Sequence, residues 1–416
     1  MDKAEIFNTI VGIMMNDSST LKDIKGINPD AFREQLNPDM EDEDFLYLVK
    51  SYLAGFGVVS HVSFGSHQAP AKGFELRKNS GRLFVTSAAE GTGLKKGDEI
   101  IAVAGLGIDD FFRENQAVFV SAKEERQYLD WAYLVKRSGC VDVVRDGRTI
   151  SQQIGDADPG TLPDALFEAR FLNENTYYMK MEDFAHEEEI QRLYDDLEAN
   201  IEKIDHLIID VRVNNGGSDS LYFPLLPYAL PEGKGYDDVD QEAYGMEILH
   251  TEANVDRRLA EFSSYLQTEG ISEETKVLLE EMAGELRRNR GKGFVKYDSD
   301  NSYFAGVTGR KNAPEKVYIL SDVTCGSSGD NFVSMMKQMP KVTVVGRPTL
   351  GILDYSNCVM LHFGKYYFLY PTSRSLAIDE GKGMNDVGVI PDIHIPWSEE
   401  HLQRDVDLDY VLSLIK

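Results

Sequence analysis

Apolar positions recur at helical spacing near the amino terminus. Ile6, Ile10, Ile13 and Met14 fall on one helix face, and Asp44–Leu53 repeats the pattern. The spacing predicts a helical region over residues 1–68. From Gly73 to Gly155 the chain changes to short apolar segments punctuated by Gly and Asp: Gly73–Leu76, Leu83–Thr86, Asp98–Val103 and Val141–Val144. These predict a small β-rich domain over 69–158, with one helix near Glu125–Lys136. Beyond Leu162 a helical stretch at Glu187–Ile204 leads into the unbroken apolar run His206–Val211. Two similar runs follow, Lys316–Leu320 and Val342–Val345. Continuous apolar runs of this length are the mark of strands buried on both faces, so residues 159–416 read as an α/β domain. The charged helical stretch Asp256–Arg290 predicts a surface insertion at about 252–292. Gly364 and Lys365 predict a hairpin turn between Val359–Phe363 and Tyr366–Tyr370.

A chain of 416 residues exceeds what one core usually organises, in agreement with several domains. No apolar run reaches the length a bilayer span needs. The stretch Ile10–Met15 has no basic flank before it and no small-residue cleavage site after it, so it reads as a helix stripe and not as a signal peptide. As it stands the sequence reads as cytoplasmic; a leader upstream would make it extracytoplasmic. The formal net charge of −27 argues against nucleic acid or an anionic membrane as partner, because phosphate binding needs clustered Lys and Arg. Cys140, Cys325 and Cys358 are too few and too scattered for a disulfide framework or a zinc site.

Two segments carry candidate chemistry. Ser321–Asp330 lies between a predicted buried strand and a predicted helix, Asn331–Gln338, where α/β proteins build their sites. A serine there exposes its hydroxyl, and the following backbone N–H is free to stabilise an oxyanion. Taken alone, Ser327, Ser328 and Asp330 also read as an ordinary helix cap. The second segment, Asp210–Gly217, again follows a buried strand and ends in Gly216 and Gly217. Paired glycines allow close backbone approach and let N–H groups converge on an oxygen. Alone, they read equally as a plain strand-to-loop turn.

Together these segments resemble the tail-specific (C-terminal-processing) serine proteases. Asp210–Gly217 is similar to that family's Asp-Leu-Arg-x-Asn-x-Gly-Gly signature, and Ser327–Asp330 to its nucleophile motif. Val344–Gly351 resembles Val-Val-Gly-x-x-Thr-x-Gly, and Gly388–Asp392 the closing Gly-Val-x-Pro-Asp. The four motifs stand in the family's order. The resemblance implies a ClpP/crotonase-like α/β protease core with an N-terminal helical segment and an inserted PDZ-like domain. Gly73, Phe74, Glu75 and Leu76, with Gly93–Gly105, resemble the carboxylate-binding loop and core strands of a PDZ domain. Such a domain takes a peptide as an added strand.

The resemblance makes Ser327 the nucleophile, with backbone N–H groups of Gly217 and Ser328 as oxyanion donors and Gly216 shaping the loop. Ser328 is a second candidate nucleophile and Cys325 a third. A serine needs a base. Many family members place a lysine after Thr-x-Gly, but that position here is Ile352, which cannot accept a proton. The tricorn-like branch uses a histidine just before the PDZ-like insertion, and Ser60-His61 in Val58–Phe64 matches its Ser-His pair. His61 is therefore the expected base, with His67 as rival. A glutamate precedes the closing motif in that branch. Asn385 occupies its place and Asp386 follows, so either would orient the base, directly or through Ser60. Asp354 and Asn357 are further candidates for that role. No ligand cluster or phosphate-binding loop is present, so no metal and no organic cofactor is expected. The expected partner is a peptide or unfolded protein substrate. A silent peptide-binding protein and a small-ester hydrolase are the rival readings.

Overall fold

The computed structural model describes residues 1–24, 27–158, 160–162, 166–240, 242–267, 271, 273–297 and 304–415. The chain is α/β, with three sheets among the described residues, and divides into two compact units.

The first unit comprises Met1–Ala69, Ala243–Ser299 and Asp354–Gly383. Helix Lys3–Asn16 opens with a capping box between Asp2 and Glu5, and it buries Ile6, Phe7, Ile10, Val11, Ile13 and Met14. Helix Asp42–Ala54 adds Phe45, Val49 and Tyr52 to the same core. Residues Ser63–Ser66 are a strand, not a continuation of the helical region, because they pair with the distant segment Tyr366–Leu369. The hairpin is longer than its turn signal implied, running from Tyr355–Phe363 into Tyr366–Ser375. Met246–His250 and Gly293–Tyr297 complete the sheet, and helices Glu252–Tyr265 and Glu273–Asn289 lie between these two strands in the chain.

The second unit comprises Pro70–Glu242, Asp300–Leu353 and Met384–Lys416. Its first sheet is antiparallel, in the order Phe74–Asn79, Arg82–Ala88, Glu99–Val103, Cys140–Arg145, Arg148–Gln153, so Phe74–Asn79 is an edge strand. The expected helix begins later than its periodicity suggested, at Tyr128. A short 3-10 turn, Glu124–Arg126, precedes it, and it ends at Gly139 in the left-handed conformation.

The second sheet of this unit contains the three apolar runs as neighbouring parallel strands: Val342–Gly346, Lys316–Ser321 and His206–Asp210. Thr176–Met181 extends it, with Phe167–Phe171 antiparallel beyond and Ile393–His394 at the other edge. Leu207, Ile208, Ile209, Ile319 and Val344 are all fully buried, as strands covered on both faces require. Among the described residues no helix is long and apolar enough to cross a membrane.

A buried ion network closes the carboxyl ends of these strands. Arg77 and Arg347 both donate to Asp322, and Arg347 also donates to Asp407, at 2.6 and 2.7 Å. Arg212 joins Asp210, Asp405 and Asp407. Burial alone would raise the carboxyls of Asp210, Asp322 and Asp407, but the arginines, with His401 at Asp407, hold all three below the ordinary range. A carboxyl depressed in the folded state stabilises it fully above the unfolded value, near 4, and loses that contribution as pH falls further. Thermal stability should therefore drop below about pH 4. Asp407→Asn is expected to cost about 3 kcal/mol at pH 7 and to flatten the acid limb of the melting-temperature profile. A variant as acid-sensitive as the wild type would show that the network does not set this limb.

Candidate active site

Both motif loops leave the carboxyl ends of adjacent parallel strands, and short contacts bind them together. Thr324 Oγ1 donates to the Arg212 carbonyl at 2.5 Å, and the Gly326 amide to the Asn214 carbonyl at 2.9 Å. Asn214 is buried, and its side chain accepts from the Gly216 amide at 2.9 Å. Asp210 and Arg212, the charged residues of the first motif, are spent on each other and on the ion network, so they anchor the loop.

Ser327 is half-buried immediately before helix Ser328–Lys337, which starts three residues earlier than its periodicity predicts. The cause is Asp330. It lies inside the first turn, fully buried, with its carboxylate turned back onto the chain. It accepts the amides of Ser327 at 3.0 Å, Gly351 at 2.8 Å and Ile352 at 3.0 Å. Burial pushes the Asp330 carboxyl up, against the hydrogen bonds that hold it down. Ser327 itself has φ 59° and ψ −124°, a backbone conformation that costs a non-glycine residue about 1–3 kcal/mol and persists only where neighbours over-determine it.

Gly216 packs directly on this turn. A Cβ there would stand 2.6 Å from Ser327 Cβ and 2.9 Å from the Ser328 nitrogen. Gly217 lies as close to Phe184, where a Cβ would meet the carbonyl at 2.1 Å. Among the described residues, no acceptor lies in hydrogen-bond geometry with the amides of Gly217 or Ser328. The Ser328 hydroxyl donates to the Gly217 carbonyl at 2.7 Å. Cys325 is fully buried, and burial pushes its thiol well above the ordinary range, which leaves it protonated and inert. Ile352 is buried too, with Cδ1 3.3 Å from where a Cβ on Gly326 would stand.

His61 belongs to the first unit, on the turn before strand Ser63–Ser66. Its Nδ1 lies 2.5 Å from the Tyr355 carbonyl, a pure acceptor, so Nδ1 carries the proton in that bond. Ser60 beside it is exposed and has φ 62°. His67 shares a hydrogen bond of 2.9 Å with His362. Asp354 and Asn357 belong to the first unit as well. Asn385 and Asp386 belong to the second, where Asp386 faces Arg126 at 3.9 Å.

Gly73 has φ 71° and precedes the edge strand on which Phe74 and Leu76 point inward and Glu75 outward. Glu75 and Leu76 line a cavity of about 440 Å3 together with Arg77, Asp210, Asp322 and Trp397. Two features escaped the sequence reading. One is the use of Asp330 as a hub. The other is His186, exposed next to Phe184 and oriented by Asp183 at 2.7 Å. Among the described residues no group of three or more His, Cys, Asp or Glu could hold a metal ion.

Solved structures similar to the chain include mature CPAF, with a TM-score of 0.62 at 13% identity over 99% of this chain and 96% of that one. Mature CPAF complexed with lactacystin is similar with a TM-score of 0.65 at 12% identity, over 99% and 97%. At these identities the likeness establishes the fold. Residues 175–395, more than half of the sequence, match the model of peptidase family S41. The chain belongs to peptidase family S41 and is a serine-type peptidase, a hydrolase.

Proposed function

We propose that this peptidase cleaves peptides and unfolded or carboxyl-terminal protein segments through an acyl-enzyme on Ser327, with His61 as general base. The observation that carries the reading is the turn at Ser327. A serine in strained backbone precedes a helix, and next to it stand two amides, of Gly217 and Ser328, with no acceptor in hydrogen-bond geometry among the described residues. In the proposed reaction Ser327 Oγ attacks the scissile carbonyl carbon and its proton passes to His61 Nε2. The Gly217 and Ser328 amides hold the resulting oxyanion. The imidazolium then gives its proton to the leaving amine as the C–N bond breaks. Water, activated by the same ring, releases the acid product and frees the serine.

The Ser60-His61 pair at the tricorn-like position supports His61. So does its bond to Tyr355, which sets the tautomer that a base needs. That carbonyl is the acceptor proposed to orient the ring. Asp386 and Asn385 come second, and Ser60 acts only by relaying to one of them. The edge strand beginning at Phe74 is proposed as the PDZ-like element that takes substrate as an added strand.

One specific observation favours a second base: His186, already paired with a carboxylate and adjoining Gly217 through Phe184. The two are separated by variants. His61→Ala is expected to lower kcat on an unfolded polypeptide by about 10^3-fold. His186→Ala should leave kcat within a few-fold of wild type. The reverse pattern would transfer the role to His186. Efficient turnover of small esters without polypeptide cleavage would instead make the protein a small-substrate hydrolase.

A further inference from the structure

Arg126 is 2% exposed, yet no motif contains it. Placing a guanidinium in the interior costs several kcal/mol unless its donors are met. Here the two terminal nitrogens are met, among the described residues, by main-chain carbonyls: Nη1 donates to Leu350, and Nη2 donates to Thr349 at 2.8 Å and to Val387 at 2.6 Å. Among the described residues Nε has no hydrogen-bond partner, and it faces Asp386 at 3.9 Å. Burial lowers the guanidinium's proton affinity, and the carboxylates of Asp386, Glu125 and Asp330 oppose that. All of these residues belong to the second unit.

The other ends of the same peptide groups point at the nucleophile. A peptide unit is planar and rigid, so fixing its oxygen fixes its N–H. The unit whose oxygen is that of Thr349 carries the Leu350 N–H, which donates to the Cys325 carbonyl at 2.7 Å. The unit whose oxygen is that of Leu350 carries the Gly351 N–H, which donates to Asp330 at 2.8 Å. Asp330 in turn holds the Ser327 amide. Arg126 and the segment Cys325–Asp330 therefore grip two consecutive peptide planes from opposite sides. A cation at one end and a carboxylate at the other polarise the chain in the same sense, which strengthens each bond in it.

We propose that Arg126 is a positioning residue for the reaction at Ser327, acting through the Thr349–Leu350 and Leu350–Gly351 peptide groups and Asp330 to hold the nucleophile's strained backbone. This rests on the reading of Ser327 as nucleophile. It assigns a role in the hydrolytic step to a side chain from the 3-10 turn Glu124–Arg126 in the β-rich segment, outside the family-matched residues.

The test compares full-length Arg126→Met, Arg126→Lys and Arg145→Met with wild type. Arg145 pairs with Asp98 at 2.6 Å within the β-rich sheet and, among the described residues, makes no bond to the Ser327 turn. Arg126→Met is expected to lower kcat by about 10- to 100-fold with KM within about threefold, the loss that follows when a reacting group is displaced by about 1 Å. Arg126→Lys, keeping the charge but unable to span three carbonyls, should fall between. Hydrogen exchange in the 349–352 segment should accelerate in Arg126→Met and not in Arg145→Met. A folded Arg126→Met with wild-type kcat and unchanged exchange would overturn the proposal, as would an equal loss of kcat in Arg145→Met. Exchange needs no turnover, so it decides the clamp even if wild type proves inactive. That inactivity would count against the peptidase mechanism instead.

Discussion

Ser327→Ala is expected to abolish turnover, with kcat falling by about 10^4- to 10^6-fold while the protein stays folded. The residual rate would come from the oxyanion donors and substrate binding, which do not need the hydroxyl. Ser327→Gly should be equally inactive but more stable than Ser327→Ala by about 1 kcal/mol. Glycine occupies φ 59° without the cost that a Cβ imposes there. Urea midpoints of the two variants, read beside kcat, separate strain from chemistry. Equal midpoints would mean that the turn is not strained. Retained turnover in Ser327→Ala would move the nucleophile elsewhere, and Ser328 would be the next residue to replace.

The second large effect is expected at Asp330. Alanine there leaves the amides of Ser327, Gly351 and Ile352 without their acceptor in a fully buried place. A buried donor left unmade costs about 1–3 kcal/mol, and local relaxation recovers part of it, so a loss of about 4 kcal/mol is expected. Asp330→Asn keeps the volume but leaves one oxygen as acceptor, so its NH2 group confronts at least one of the incoming N–H donors. It should lose about half as much stability and still lower kcat by about 10^2-fold, because the acceptor that ties Ser327 to the 351–352 backbone is halved. Stability measured by urea unfolding and kcat measured on the same preparations give both numbers. If Asp330→Asn were fully active, the carboxylate would be only a packing element.

Much of this site was legible in the sequence because it rests on residues whose types announce their work. Gly216 and Gly217 mark a close backbone approach, and the structure has no room for a Cβ at either. The apolar runs at His206, Lys316 and Val342 read as buried strands, and they are neighbouring parallel strands of one sheet. What stayed hidden depends on main-chain atoms or on distant pairing. Asp330 reads as a helix cap, because nothing in its neighbours says that its carboxylate also takes the amides of residues 351 and 352. Arg126 lies in the short turn before helix Tyr128–Ser138 and, among the described residues, hydrogen-bonds to carbonyls, which every residue has. The strand Ser63–Ser66 is four residues long and takes its identity from pairing with Tyr366–Leu369. The bond between His61 and Tyr355 is hidden for the same reason. A search for an orienting side chain looks to Asp386 or Asn385, whereas a backbone carbonyl leaves no mark in the sequence.

The most direct measurement is the site of covalent modification by a fluorophosphonate, mapped by mass spectrometry on the intact chain. The mechanism predicts one adduct, on Ser327, absent in Ser327→Ala and formed much more slowly in His61→Ala. An adduct on another residue, or none on well-folded protein, would contradict it.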